Sequence, residues 1–335
     1  MTELVSLQRI HAARERVEGR VHRTPILVSA TAARVIEAAT GVRIADGRLY
    51  AKAEHLQKTG SFKPRAALAK LTSLSPQERE AGAITLSAGN AAQAYAWAGR
   101  EEGVAVTVVM PLRAVRSKVD ACQAYGAEVV LHGEHVGSTL ERLRELVAER
   151  GLTLVHPFDD PEVIAGNGTS GLELLEDLPD VDVVVAGVGG GGMISGVATA
   201  LKETRPEVRV YGVEPEGSDA VSRAIKAGEV VQIDPVSVAD GLGAPFAGQW
   251  TLPICAKYLD DIVLLDDATI LGGLRFAAER MKQVLEPAGA AALAAVLAGR
   301  IPLRDGERVC VILSGGNVER SRLGEFLDGP VPDGG

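Results

Sequence analysis

A lysine stands directly behind a short turn in Lys58-Thr59-Gly60-Ser61-Phe62-Lys63-Pro64, just after an apolar run, and the turn can cap a helix that starts there. A lysine at the mouth of a buried site loses hydration, which disfavours its charged form. It can then attack a carbonyl carbon and later act as a base. Lys52, Lys58 and Lys70 lie close by, so spacing alone does not single out Lys63. A second candidate is the run Val181–Val188, followed by Gly189-Gly190-Gly191-Gly192 and Met193-Ile194. It reads as strand, glycine loop and helix. An ordinary tight turn needs one or two glycines. Four of them let backbone N–H groups close on an anion, and the helix adds its positive end, which makes a phosphate cradle. Gly187, Gly189 and Gly192 also satisfy GxGxxG, and Glu214 ends the next apolar run, so a dinucleotide is a second reading of this loop.

Two further segments have the same strand-then-loop form. Ile84-Thr-Leu-Ser87-Ala88-Gly89-Asn90-Ala91 leads into a helical pattern whose first N–H groups can hold a carboxylate, with Asn90 as donor and acceptor. An ordinary capped helix start explains it equally well. Val309-Cys-Val-Ile-Leu-Ser314-Gly315-Gly316-Asn317 ends an apolar run on a serine whose hydroxyl can face a ligand ring, or simply serve a turn.

The elements that must position these residues follow from hydrophobic periodicity. Strands are expected at 49–54, 83–87, 104–109, 127–131, 181–188, 208–214 and 308–313. Helix-like stretches, among them Pro64–Leu71, Ala91–Glu102, Ser138–Arg150, Ile194–Thr204 and Ala268–Val284, lie between them. The alternation predicts an α/β fold of mostly parallel sheets covered by helices on both faces, with ligands at the carboxyl ends of the strands. A chain of 335 residues is long for one domain and comfortable for two.

Composition narrows the function classes. Apolar residues make up 46% and charged residues 24%, as in soluble globular proteins. The formal charge of −9 argues against nucleic acid or an anionic membrane as a partner. The opening segment has no apolar core of a signal peptide, and the longest apolar run, Ala290 to Ala298, is too short to span a bilayer. Cys122, Cys255 and Cys310 are far apart and form no CxxC, so a reducing cytoplasm is the expected location. The tail from Asp328 reads as a frayed end.

Taken in chain order, KTGSFKPRAAL, SAGNAAQ, GVGGGGM and LSGGN give the sequence a close resemblance to the serine/threonine dehydratases. These belong to the branch of pyridoxal-phosphate (PLP) enzymes that also holds serine racemase, threonine synthase and cysteine synthase. The likeness runs from HRTPIL (22–27) to SGGN (314–317) and takes in IAGNGTSGLEL, VADGLG and VLEPAGA. It outweighs the dinucleotide reading, which leaves Lys63 and Ser314 without a role. The resemblance implies the tryptophan synthase β-like PLP fold: a large domain from residues 1–81 and 159–335, a small mobile domain from 82–158, and a homodimer. It implies β-elimination of a small β-hydroxy amino acid, L-threonine or L-serine, to a 2-oxo acid and ammonia. The same fold also houses 3-hydroxyaspartate and phenylserine dehydratases, racemases, β-replacement synthases and silent PLP-binding paralogues.

Residue by residue, the resemblance implies that Lys63 is the PLP-bound lysine and Phe62 packs on the ring. Asn90 would bond the ring hydroxyl, Gly189 to Gly192 with Met193 hold the phosphate, Gly241 lie beside the ring and Ser314 face the pyridine nitrogen. Ser87, Ala88, Gly89, Asn90 and Ala91 would take the substrate carboxylate. Ala88 stands where racemases carry a serine, and Ala91 where the family has a histidine, so racemase ranks below dehydratase and the substrate pocket departs from the usual pattern. Some relatives bind Mg²⁺ or Mn²⁺; Glu214 and the Ser218 carbonyl match two of the ligand positions, but the third is Ala220. The HxxH pair His132 and His135 has no third ligand near it and reads as surface. Cys310 reads as core, and Glu286 as either a site residue or a helix-end carboxylate.

Overall fold

The computed structural model describes residues 4–333. The first three residues of the opening segment and the last two of the tail lie outside it. It contains two open sheets. The larger has six strands in the order β1-β2-β10-β7-β8-β9, made of β1 (Ile26–Ser29), β2 (Leu49–Lys52), β7 (Val183–Gly187), β8 (Arg209–Pro215), β9 (Asp261–Leu265) and β10 (Val309–Ile312). All pairs are parallel except β1 with β2. The smaller sheet is all parallel, ordered β5-β4-β3-β6, from β3 (Ala83–Leu86), β4 (Val106–Met110), β5 (Glu128–Leu131) and β6 (Thr153–Leu154). The α/β class with helices on both faces is as the periodicity predicts.

Central strands β7, β8 and β10 are rows of valine with both faces buried, which suits a parallel sheet between helices. The alanine-rich helix Pro287–Leu297 is buried all round and lies against β7, β8 and β10. Helices Pro161–Asp177 and Gly192–Thr204 touch through glycines: a Cβ on Gly168 would come within 2.9 Å of the Gly196 carbonyl.

Three short strands escaped the periodicity. β1 and β9 are edge strands, and β6 has only two residues; β9 is a five-residue run bracketed by aspartates, and edges carry less apolar signal. The expected helix Ala268–Val284 is corrected: the α-helix is Asp267–Phe276, followed by a π turn Ala277–Met281 and Lys282 at φ 58°. Pro287 forces Glu286 into extended backbone, and the Glu286 N–H bonds the Gly315 carbonyl at 3.1 Å, so the chain turns back towards the other sheet ends.

Candidate active site

All four motif loops open at the carboxyl ends of their strands onto one cavity of about 480 Å³. It lies between the two sheets. Phe62, Lys63, Ser87 to Ala91, Gly189 to Met193, Gly241 and Ser314 all line it. The expected site residues on these loops are therefore gathered in one place; Glu214 and Ser218 are not among the lining residues.

Lys63 is the first residue of helix Lys63–Thr72. Its loop is paired with the serine-glycine loop: the Phe62 N–H bonds the Ser314 carbonyl at 3.1 Å, the Gly316 N–H bonds the Gly60 carbonyl at 2.9 Å, and Ser61 bridges Gly315. Pro64 at the helix start has no N–H to satisfy. Lys63 Nζ donates to the Pro157 carbonyl at 2.9 Å and lies 4.9 Å from the centre of the Phe62 ring. Burial pulls its pKa down from 10.5 to about 8, and the Glu286 carboxylate offsets part of that. The lowering enlarges the neutral fraction near neutrality, which a lysine nucleophile needs.

The glycine loop follows β7 and starts helix Gly192–Thr204, with Gly191 at φ 87° and no side chain capping the helix. Three of its four glycines are required by a neighbour. A Cβ on Gly190 would collide with the Phe158 ring, one on Gly192 would stand 2.7 Å from the Phe158 carbonyl, and one on Gly191 would stand 2.9 Å from Thr251. The uncapped N–H groups and the helix's positive end face the cavity.

The Ser87–Ala91 loop opens helix Asn90–Glu102, again without a side-chain cap. Asn90 Nδ2 donates to Glu286 Oε1 at 2.6 Å, and Asn90 Oδ1 accepts from Asn317 Nδ2 at 2.8 Å. Glu286 is buried, and desolvation chiefly pushes its carboxyl up to about 7, against the Asn90 hydrogen bond. Ser314 is buried, and its hydroxyl reaches the Ala288 carbonyl only at 3.4 Å.

Several cavity residues were not singled out from sequence. His156, Phe158 and Phe246 form an aromatic cluster, with the first two rings 4.5 Å apart and edge-on. His156 Nδ1 accepts the N–H groups of Asp159 at 2.8 Å and Phe158 at 3.3 Å, which leaves the proton on Nε2; burial holds its pKa down. Lys118 Nζ pairs with Asp240 at 3.2 Å at the cavity rim. Leu86, Leu140, Leu143 and Leu154 form an apolar wall on the side of the smaller sheet. Phe158 sits in the run HPFDD, one residue beyond β6, which was the available signal; the Lys118–Asp240 pair, 122 residues apart in sequence, left none.

The residues fit PLP. A buried lysine whose charged form is disfavoured, a glycine loop at an uncapped helix start, and a buried hydroxyl line one cavity. They do not fit a divalent cation. Each Glu214 oxygen already accepts an N–H, from Val221 and Ser222, and Asp219 pairs with Arg223. Hard cations need several free oxygens, and among the described residues no group of three His, Cys, Asp or Glu side chains could hold a metal. His132 and His135 are exposed, as expected, and the three cysteines are free and buried.

The sequence profile described as pyridoxal-phosphate dependent enzyme matches residues 18–315. The chain belongs to that family. Among PLP-dependent relatives, L-threonine ammonia-lyase of Thermotoga maritima is 38% identical over 97% of this chain and 79% of its own. L-threo-3-hydroxyaspartate ammonia-lyase of a Pseudomonas species is 38% identical over 98% and 100%. The solved structure of maize serine racemase superposes with a TM-score of 0.89 at 33% identity, over 96% of this PLP-family chain and 97% of the maize one. Among the described residues no helix is long and apolar enough to cross a membrane.

Proposed function

We propose that this chain is an ammonia-lyase that removes water from L-threonine or L-serine with PLP, the released enamine then taking water back to give a 2-oxo acid and ammonia. The observation that carries the reading is Lys63 Nζ, held in the shared cavity by a backbone carbonyl rather than a carboxylate, with its charged form disfavoured. Family membership and the activities named for two of the relatives support it. When bound, PLP supplies an electron-withdrawing ring that makes the substrate Cα–H acidic.

The family resemblance, and the gathering of these residues round one cavity, support the following roles. Gly189 to Gly192 and Met193 bind phosphate at a helix start. Phe62 would cover one side of the ring, Gly241 would lie at its edge, Ser314 would offer a neutral hydroxyl to the ring nitrogen, and Asn90 would donate to the ring hydroxyl. A neutral hydroxyl does not favour a protonated ring, as a carboxylate would. N–H groups of Ser87 to Ala91 orient the α-carboxylate. Lys63 Nζ then takes the Cα proton. Residues 82–158 act as a small mobile domain that closes over the cavity and excludes water, and the chain works as a homodimer in the cytoplasm.

The cavity favours a neutral substrate side chain. Its leucine wall is apolar, and of the lysines lining it, Lys118 is paired with Asp240 while Lys63 is assigned to the cofactor. Among the described residues that line the cavity, a 3-hydroxyaspartate carboxylate therefore meets no unassigned, unpaired lysine. Racemisation ranks below elimination because Ala88 offers no hydroxyl for return of a proton. The test is 2-oxo acid release from L-serine, L-threonine, threo-3-hydroxyaspartate and phenylserine by the PLP-loaded protein. Turnover of the first two ahead of the acidic substrate is expected; loaded protein that releases oxo acid from none of them overturns the reading.

A further inference from the structure

Asn317 lies outside the residues given a role above, yet its amide joins three segments of the site. Its Nδ2 donates to the Thr59 carbonyl at 2.7 Å and to Asn90 Oδ1 at 2.8 Å, so both hydrogens are used. Its Oδ1 packs over Gly60, where a Cβ would overlap it. Thr59 has φ 58°, an orientation uncommon for a residue with a Cβ, and the bond to its carbonyl holds that peptide in place four residues before Lys63.

An asparagine side chain is nearly symmetric in shape and can turn its oxygen and nitrogen over. Asn90 is held one way round by two neighbours of opposite demand. Asn317 presents only donors to Oδ1, and Glu286 Oε1 accepts from Nδ2 at 2.6 Å. Turned over, Asn90 would put its NH2 against the NH2 of Asn317 and its oxygen against the Glu286 carboxylate. As placed, the second Nδ2 hydrogen of Asn90 is left for the cavity.

We propose that Asn317 is a positioning residue: by engaging Asn90 Oδ1 it fixes the Asn90 amide with its donor towards the cofactor's ring hydroxyl. The inference rests on the Asn90 role proposed above. Loss of a buried hydrogen-bonded orienting group is worth about tenfold or more in the function it supports.

The experiment uses the PLP-loaded protein in four forms: wild type, N90A, N317A and the double variant, with N317D as the shape-preserving control. The readouts are the pH titration of the bound-cofactor absorption band, the cofactor dissociation rate, and kcat and KM separately. Expected are a shifted band titration and roughly tenfold faster dissociation in N317A, with kcat falling more than KM rises. In the double variant the two losses should not add. N317D, which offers an oxygen where the donor stood, should be at least as impaired as N317A; if N317A fails to fold by circular dichroism, N317D carries the test. N317D behaving as wild type, or additive losses, overturns the proposal. If N90A itself leaves the band and the dissociation rate unchanged, the Asn90 assignment has failed and this inference with it. If N90A changes both and N317A neither, only this inference has failed.

Discussion

Helix Lys63–Thr72 begins with two cationic side chains in opposite circumstances. Arg65 points behind the helix into a closed ionic network. It meets Glu54 at 2.8 and 2.9 Å and Glu173 at 2.7 Å through two nitrogens, while Lys52 reaches Glu173 at 2.7 Å and the Thr24 carbonyl at 2.8 Å. Lys63, two residues earlier, points forward into the cavity and finds a carbonyl. Behind the helix each buried charge has a partner. In front of it Lys63 and Glu286 are displaced in opposite directions towards neutrality, to about 8 and about 7. Burial with full pairing yields a fixed platform, and burial without it yields reactive groups.

The difference can be broken at its sharpest point by Lys63→Ala. Activity should fall by at least about 10³-fold in a 2-oxo acid assay, while the urea midpoint of the cofactor-free protein stays the same or rises. A large loss of stability would mean that Lys63 is structural after all. Arg65→Ala should do the reverse of this on the protein itself. It leaves Glu54 and Glu173 buried without their partner and should cost roughly 3–5 kcal/mol by urea unfolding of the cofactor-free protein.

The charges in front of the helix predict a pH signature. Glu286 has its carboxyl raised from 4.5 to about 7, so the folded state binds the proton more tightly. Its stabilising contribution is complete below pH 4.5 and is lost as pH rises to 7, an effect of about 3 kcal/mol. Lys63, lowered from 10.5 to about 8, acts in the other direction, and stability recovers between pH 8 and 10.5. Glu214 is also raised to about 7 and adds to the first window. The measurement is therefore the difference between wild type and Glu286→Gln in urea midpoint across pH 4 to 8, where the slope should flatten in the variant. The smallest effect belongs to the rim. Lys118→Ala breaks a pair whose aspartate is largely exposed, and unfolding should shift by no more than about 1 kcal/mol.

Most of the candidate site was legible because its residues sit in local motifs, each a strand, a short loop and a helix start. The glycines, Lys63, Asn90 and Ser314 were grouped by the family resemblance that their motifs carry in chain order; local spacing alone left Lys63 undistinguished from its neighbours. What could not be read was the pairing of distant groups. Glu54 and Glu173 close the network on Arg65 from segments far apart in sequence, Asp240 meets Lys118 across the cavity, and Asn317 reaches both Thr59 and Asn90. In the fold, valine-rich central strands announced themselves, whereas edge strand β9 and the π turn after Phe276 are set by tertiary contacts. Beyond the turn the Glu286 N–H meets the Gly315 carbonyl, a contact that no periodicity encodes.

The account turns on Lys63 as the residue that holds the cofactor. Borohydride reduction of the PLP-loaded protein, followed by peptide mapping, tests this directly. A single pyridoxyl label is expected on Lys63, in the peptide that spans the Thr59–Phe62 turn. A label on Lys58, Lys70 or any other lysine, or no label on protein that has demonstrably taken up PLP, would contradict it.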